Sequence, residues 1–193
     1  MNTQRQVHRI ARLLGVESAE LSALDDVPPE DLRRLHTLLA DAVVAPSRPS
    51  YRRLAAMAGT LPATATAKLA SRFMPASAGA RITEEIDADY AVQMVARLPV
   101  DYLLDVSVAM DPHRCADVLL ALPHERLAEI AAGLFERDEL VVLGEFAGVL
   151  DDDAFRAVVE ASDEVDVERL MPWLDPEDRA RVRSSRSPRP NRE

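Results

Sequence analysis

The chain has one cysteine, one lysine and six glycines in 193 residues. A single thiol excludes an internal disulfide framework and an all-cysteine zinc site. So few glycines leave no glycine-rich phosphate loop, and neither a Ser-centred nucleophile elbow nor a His-Glu-x-x-His pair occurs. The sequence therefore reads as that of a protein that is not an enzyme and holds no resident cofactor. No apolar run reaches the length of a membrane span, and the start lacks the basic, apolar, small order of a secretion signal. A cytoplasmic protein without a membrane span is expected. Aromatic residues are scarce at 4%, whereas 30 residues are alanine. Alanine is the best helix former and strands favour aromatic and β-branched residues, so the expected class is all-α.

The formal charge is −10, unevenly spread. Residues 1–53 carry +1, residues 54–150 carry −7, residues 151–178 carry −9 and residues 179–193 carry +5. An acidic total argues against the whole surface gripping nucleic acid. The basic end is rich in Arg, Ser and Pro with little to bury, and reads as a disordered tail over 179–193. Opposite charge makes 151–178 a candidate dock for it.

Helices are expected near 3–14, 18–24 and 29–44, the last opened by Pro28 and Pro29 with Glu30 and Asp31 in its first turn. Pro46-Ser47-Arg48-Pro49-Ser50 reads as a linker over 46–50, separating a helical N-terminal segment (1–45) from residues 51–178. Beyond it, large apolar residues recur every twelve positions: Met74, Ile86, Leu98, Met110, Leu122, Leu134 and Phe146. Pro75, Asp87, Pro99, Asp111 and Pro123 follow the first five. Because Pro and Asp alternate, the unit is a 24-residue pair of short helices. Ala91, Val92, Met94, Val95 and Leu98 align with Cys115, Ala116, Val118, Leu119 and Leu122, and then with Glu139, Leu140, Val142, Leu143 and Phe146. Apolar residues at such spacing mark one buried helix face. Short helices are marginal alone and must stack, which predicts an α-solenoid over 51–178. The register fails after Phe146, and closing helices are expected near 153–161 and 166–173.

Ala96-Arg97-Leu98-Pro99, Ala109-Met110-Asp111-Pro112, the run 116–123 and Leu174-Asp175-Pro176 give this region a family likeness. It resembles the intracellular N-terminal domain of MgtE-type magnesium transporters, from about Leu61 to Asp178. The resemblance implies a right-handed superhelix of short helices, similar to that of FliG-type motor-switch proteins, without the family's regulatory and transmembrane parts. It also implies an acidic, cation-sensing surface.

Asp151, Asp152, Asp153 and Glu160 are the candidate ligands for weakly bound magnesium, a hard cation that takes carboxylate oxygens. Their spacing is not that of an EF-hand. Ile10-Ala11-x-x-Leu14-Gly15-Val16 with Leu21 and Leu24 fits a helix-turn-helix, but its second helix offers no Arg or Lys, and the basic residues lie on the first at Arg5, Arg9 and Arg12. His8, His36, His113 and His124 are scattered and expected at the surface. Cys115 reads as a small buried packing residue. The function expected is a protein-interaction or regulatory module with weak magnesium sensing, and another protein as partner, a homodimer included. The alternative is a DNA-associated regulator using residues 5–24.

Overall fold

The computed structural model describes residues 3–186, and among these every regular element is a helix. An N-terminal hairpin comprises α1 (Thr3–Leu14), a 3-10 segment (Ser18–Leu24) and α2 (Pro29–Val44). The next helices are α3 (Arg48–Ala58), α4 (Ala63–Phe73), α5 (Ala76–Thr83), α6 (Ala88–Val95), α7 (Val100–Ala109) and α8 (Ala116–Ala121). After them come α9 (His124–Glu136), α10 (Leu140–Ala147), α11 (Asp152–Ala161), α12 (Glu164–Leu170), a 3-10 turn (Met171–Trp173) and α13 (Pro176–Arg186). None is long and apolar enough to cross a membrane.

α1 and α2 pack on each other, and from α3 onward most helices pack on the one two places away. α3, α5, α7, α9, α11 and α13 touch in succession, as do α4, α6 and α8, and α10 touches α12. The twelve-residue beat sets where helices begin. Pro75, Asp87, Pro99 and Pro123 are the N-caps of α5, α6, α7 and α9. The prolines fix an extended approach to the helix, and Asp87 accepts a hydrogen bond from the Tyr90 amide at 3.1 Å.

After Pro123 the beat slips by four residues. α9 runs for 13 residues against 10 in α7, and Asp138, at φ 59°, ends the turn that follows it. Glu139 then caps α10, and twelve-residue spacing resumes: Asp151 and Asp163 cap α11 and α12, and Asp175 precedes α13. The break in register is therefore one inserted helical turn. It also corrects the internal alignment. Ala91 and Cys115 are buried core residues, whereas Glu139 is a helix cap.

Two boundaries differ from expectation. The turn between α2 and α3 covers only residues 45–47, and Arg48-Pro49-Ser50 open α3, because proline is tolerated in a first helical turn. The expected disordered tail is helical as far as Arg186, while residues 187–193 lie outside the described residues. Val182 is buried in the main core. Arg181 donates to the carbonyls of Ala147 (3.0 Å) and Leu150 (2.8 Å), pairs with Asp152 and Asp178, and lies over the Phe155 ring. The basic end thus docks on the acidic segment, through a buried side chain as well as charge.

The same device recurs along the stack. The last carbonyls of a helix have no intrahelical donor. Tyr90 supplies one to Ala58 and Leu61, Arg126 to Val95 and Leu98, and Arg181 to Ala147 and Leu150. In each case a side chain about one repeat downstream closes an earlier helix end.

The main core runs from α7 to α13, with Leu134 and Leu174 fully buried. The α1–α2 hairpin has its own small cluster of Val7, Ile10 and Leu32. Leu134→Ala should cost about 2–5 kcal/mol in chemical denaturation. A chain ending at Asp178 should melt about 5–10 °C lower, since it loses Arg181 and Val182 together. An unchanged midpoint would contradict the docking of α13.

Candidate functional site

Arg5, Arg9 and Arg12 recur at i, i+4 and i+7, which places them on one face of α1. That face is turned into the protein. Arg5 donates to the carbonyls of Gly144 (3.0 Å) and Trp173 (2.8 Å) and pairs with Asp175 at 2.6 Å. Arg9 pairs with Glu145 at 2.8 Å and approaches Asp111 at 3.6 Å. Arg12 pairs with Glu139 at 2.8 Å. His8, one helical turn from Arg5 and Arg12, sets its ring edge against Trp173. The partners come from the α7–α8 loop, from α10 and its cap, and from the turn before α13. α1 therefore lies along an acidic groove of the stack.

Gly144 makes this approach feasible. A Cβ there would stand 2.6 Å from the Trp173 carbonyl oxygen, so a side chain would push apart the two carbonyls that share Arg5. The second helix of the hairpin adds one more tie. Asp41 of α2 pairs with Arg114 at 2.7 Å, and Arg114 also holds the buried Glu84 at 2.8 Å.

The groove shifts its own acids and bases. Burial pushes the Glu145 carboxyl up to about 7 although Arg9 lies beside it, with Asp111 adding to the rise and Arg12 and Arg5 opposing it. His36 is buried, not at the surface as expected, near enough to Arg9, Asp111, Arg81 and His113 to feel their charges. Burial, with Arg9, Arg81 and His113 adding their repulsion against Asp111, pushes its imidazole down to about 4. His113 is shifted down for the same first reason.

The helix-turn-helix reading fails on this geometry. The expected recognition helix is a 3-10 segment with a kink at Leu21. Gly15, at φ 69°, terminates α1, with the Val16 amide donating to the Ala11 carbonyl. Arg5, Arg9 and Arg12, the only basic residues of the motif, are spent on carboxylates and carbonyls of the chain itself.

The candidate magnesium ligands are not brought together. Asp151 accepts from the Ala154 amide at 2.8 Å as the N-cap of α11. Asp152 pairs with Arg181 and Asp153 with Arg156. Glu160 is exposed near the far end of the same helix, more than two turns from the cap. Among the described residues no three His, Cys, Asp or Glu side chains form a metal-holding group. Cys115 is buried, as its alignment with Ala91 indicated, and burial pushes its thiol up to about 12, far from a reactive thiolate.

Glu145 and His36 act oppositely on stability. The raised carboxyl contributes most below its ordinary value of 4.5 and loses that contribution as pH rises through about 7. The depressed imidazole contributes above its ordinary value of 6.5 and loses that contribution as pH falls through about 4. Between 4.5 and 6.5 the two slopes offset. In Glu145→Gln only the histidine slope remains, so denaturation midpoints should fall more steeply from pH 6.5 to 4.5 than in the wild type. An identical slope would show that the two groups are not shifted in this way. Comparison with known protein families, with characterised proteins and with solved structures finds no match for this chain.

Proposed function

We propose that the protein is a non-enzymatic protein-interaction module that docks its partner through α3 and α4. One observation carries this reading. These helices are inverted relative to ordinary amphipathic helices, which bury their large apolar residues. They bury alanines (Ala55, Ala63, Ala67 and Ala70) and expose Leu54, Met57, Leu69 and Phe73, the last at 72%. Leu61, in the turn between them, is exposed as well.

The repeat shows that this is not a property of the positions. Leu69 and Phe73 correspond, 24 residues on, to Gln93 and Arg97, which are exposed and polar. Leu54 and Met57 lie one turn apart on α3, as do Leu69 and Phe73 on α4, and exposed apolar side chains grouped in this way mark interaction surfaces rather than ordinary solvent faces. Charge adds direction. No acidic residue occurs from 42 to 83, while Arg53, Lys68 and Arg72 sit beside Leu54, Leu69 and Phe73. A partner surface that is apolar with acidic surroundings suits this face.

A solenoid of helical pairs, as the MgtE-type resemblance implies, fits the order in which the helices touch and leaves its first pair with no preceding pair to cover it. A magnesium response is not part of this reading, because Asp151, Asp152 and Asp153 are each engaged by donors of the chain.

A photo-cross-linking residue placed at Met57 or Phe73 in cells should give an adduct of discrete mass, and one at exposed Glu160 should not. An adduct of twice the chain's mass would make the partner a second copy. No discrete adduct at either position would remove the reading.

A further inference from the structure

The seam between α1 and the stack is built unlike the rest of the protein. From α7 to α13 the helices share one apolar core, with ion pairs added at its edges. Here the two hydrophobic clusters stay separate, and no residue of the hairpin belongs to the larger one. What crosses the seam is mainly charge: Arg5, Arg9 and Arg12 on one side, and Asp111, Glu139, Glu145 and Asp175 on the other, with the rings of His8 and Trp173 in contact beside them. Buried ion pairs give register and specificity but little net stability, because desolvating the charges offsets most of their attraction. The fit is also incomplete. Gln6 Oε1 and Arg5 Nε are buried without a hydrogen-bond partner among the described residues.

Parting such a seam differs from parting an apolar one. It returns charges to water, which solvates them well. The hairpin keeps its own cluster of Val7, Ile10 and Leu32, and its covalent link to the stack is the short turn 45–47.

We infer that the hairpin is a detachable insert, and that the groove beneath it is a binding site for a partner helix bearing arginines at i, i+4 and i+7. α1 occupies that site in cis and sets the chemistry that fits it. The entering helix places one guanidinium between the Gly144 and Trp173 carbonyls and Asp175, a second on Glu145 and Asp111, and a third on Glu139. The site lies on residues other than the α3–α4 face, so the two readings stand or fall separately.

The probe is a fluorescein-labelled peptide of residues 3–16, titrated against the full chain. The wild type should bind it weakly, because α1 competes at the high effective concentration of a tethered segment. The full chain carrying Arg5→Ala and Arg9→Ala, with the peptide unchanged, should bind about tenfold tighter or more, and binding should weaken with added salt. A peptide with Gln at positions 5 and 9 should not bind. Dimers in which one protomer's α1 fills its partner's groove would support the same site.

No gain in affinity by a variant whose helicity matches the wild type overturns the inference. So does equal binding of the Gln peptide. Hydrogen exchange on the wild type keeps the test open if the variant misfolds. Raising sodium chloride from about 0.05 to 0.5 M should speed exchange in α1 and α2 together and leave α9 and α11 unchanged. Uniform exchange across the chain would show that the hairpin does not part as a unit.

Discussion

A helix of two or three turns does not persist alone in water, and nearly every helix of this protein is that short. Lateral packing against the helix two places away is what holds them. The remaining features serve that constraint. A cap every twelve residues keeps each helix short enough to reverse direction. One apolar face per helix points to its lateral neighbour. At the ends of α3, α6 and α10 a donor 28–34 residues downstream satisfies carbonyls left without an intrahelical partner. Helix length, cap spacing and cross-repeat hydrogen bonds are therefore one design seen at three scales.

Apolar packing dominates from α7 onward and fades toward α3, where alanines replace leucines inside and the large side chains face water. The hairpin follows a third rule, with a small core of its own and a charged seam. These regimes divide the labour. The α7–α13 region holds the main apolar core, the α3–α4 pair exposes its large apolar side chains, and α1 closes a polar groove. The buried His36 and Glu145 lie near that groove, and burial shifts them in opposite directions.

Much of the architecture was readable from residue order. Pro75, Asp87, Pro99 and Pro123 fix helix starts through local backbone chemistry, and local rules act on local sequence. The N-terminal helices, α11 and α12 were legible for the same reason. The resumed beat at Glu139, Asp151, Asp163 and Asp175 was also present, hidden by one extra turn in α9. The groove was not legible. Arg5, Arg9 and Arg12 look like a free basic face on a helical wheel, and their partners lie 102 to 170 positions away. Charge pattern gives the sign of such an interaction but not its location. The acids of 151–153 misled for the converse reason: dense in sequence, they splay apart at the start of a helix and find separate donors. Burial of Arg181 and Val182, which carries α13 past Asp178, was masked by a composition that resembles a disordered tail.

The Arg5–Asp175 pair has a consequence for how the molecule is made. Arg5 leaves the ribosome 170 residues ahead of its carboxylate. At about 5–20 residues per second, α1 waits about 10–30 s with its arginines unclaimed. The stack grows meanwhile by contacts between near neighbours, which form quickly and in order. The α1 segment is thus made well before its groove is complete, and during that interval its three arginines are open to whatever anionic surface lies around the nascent chain.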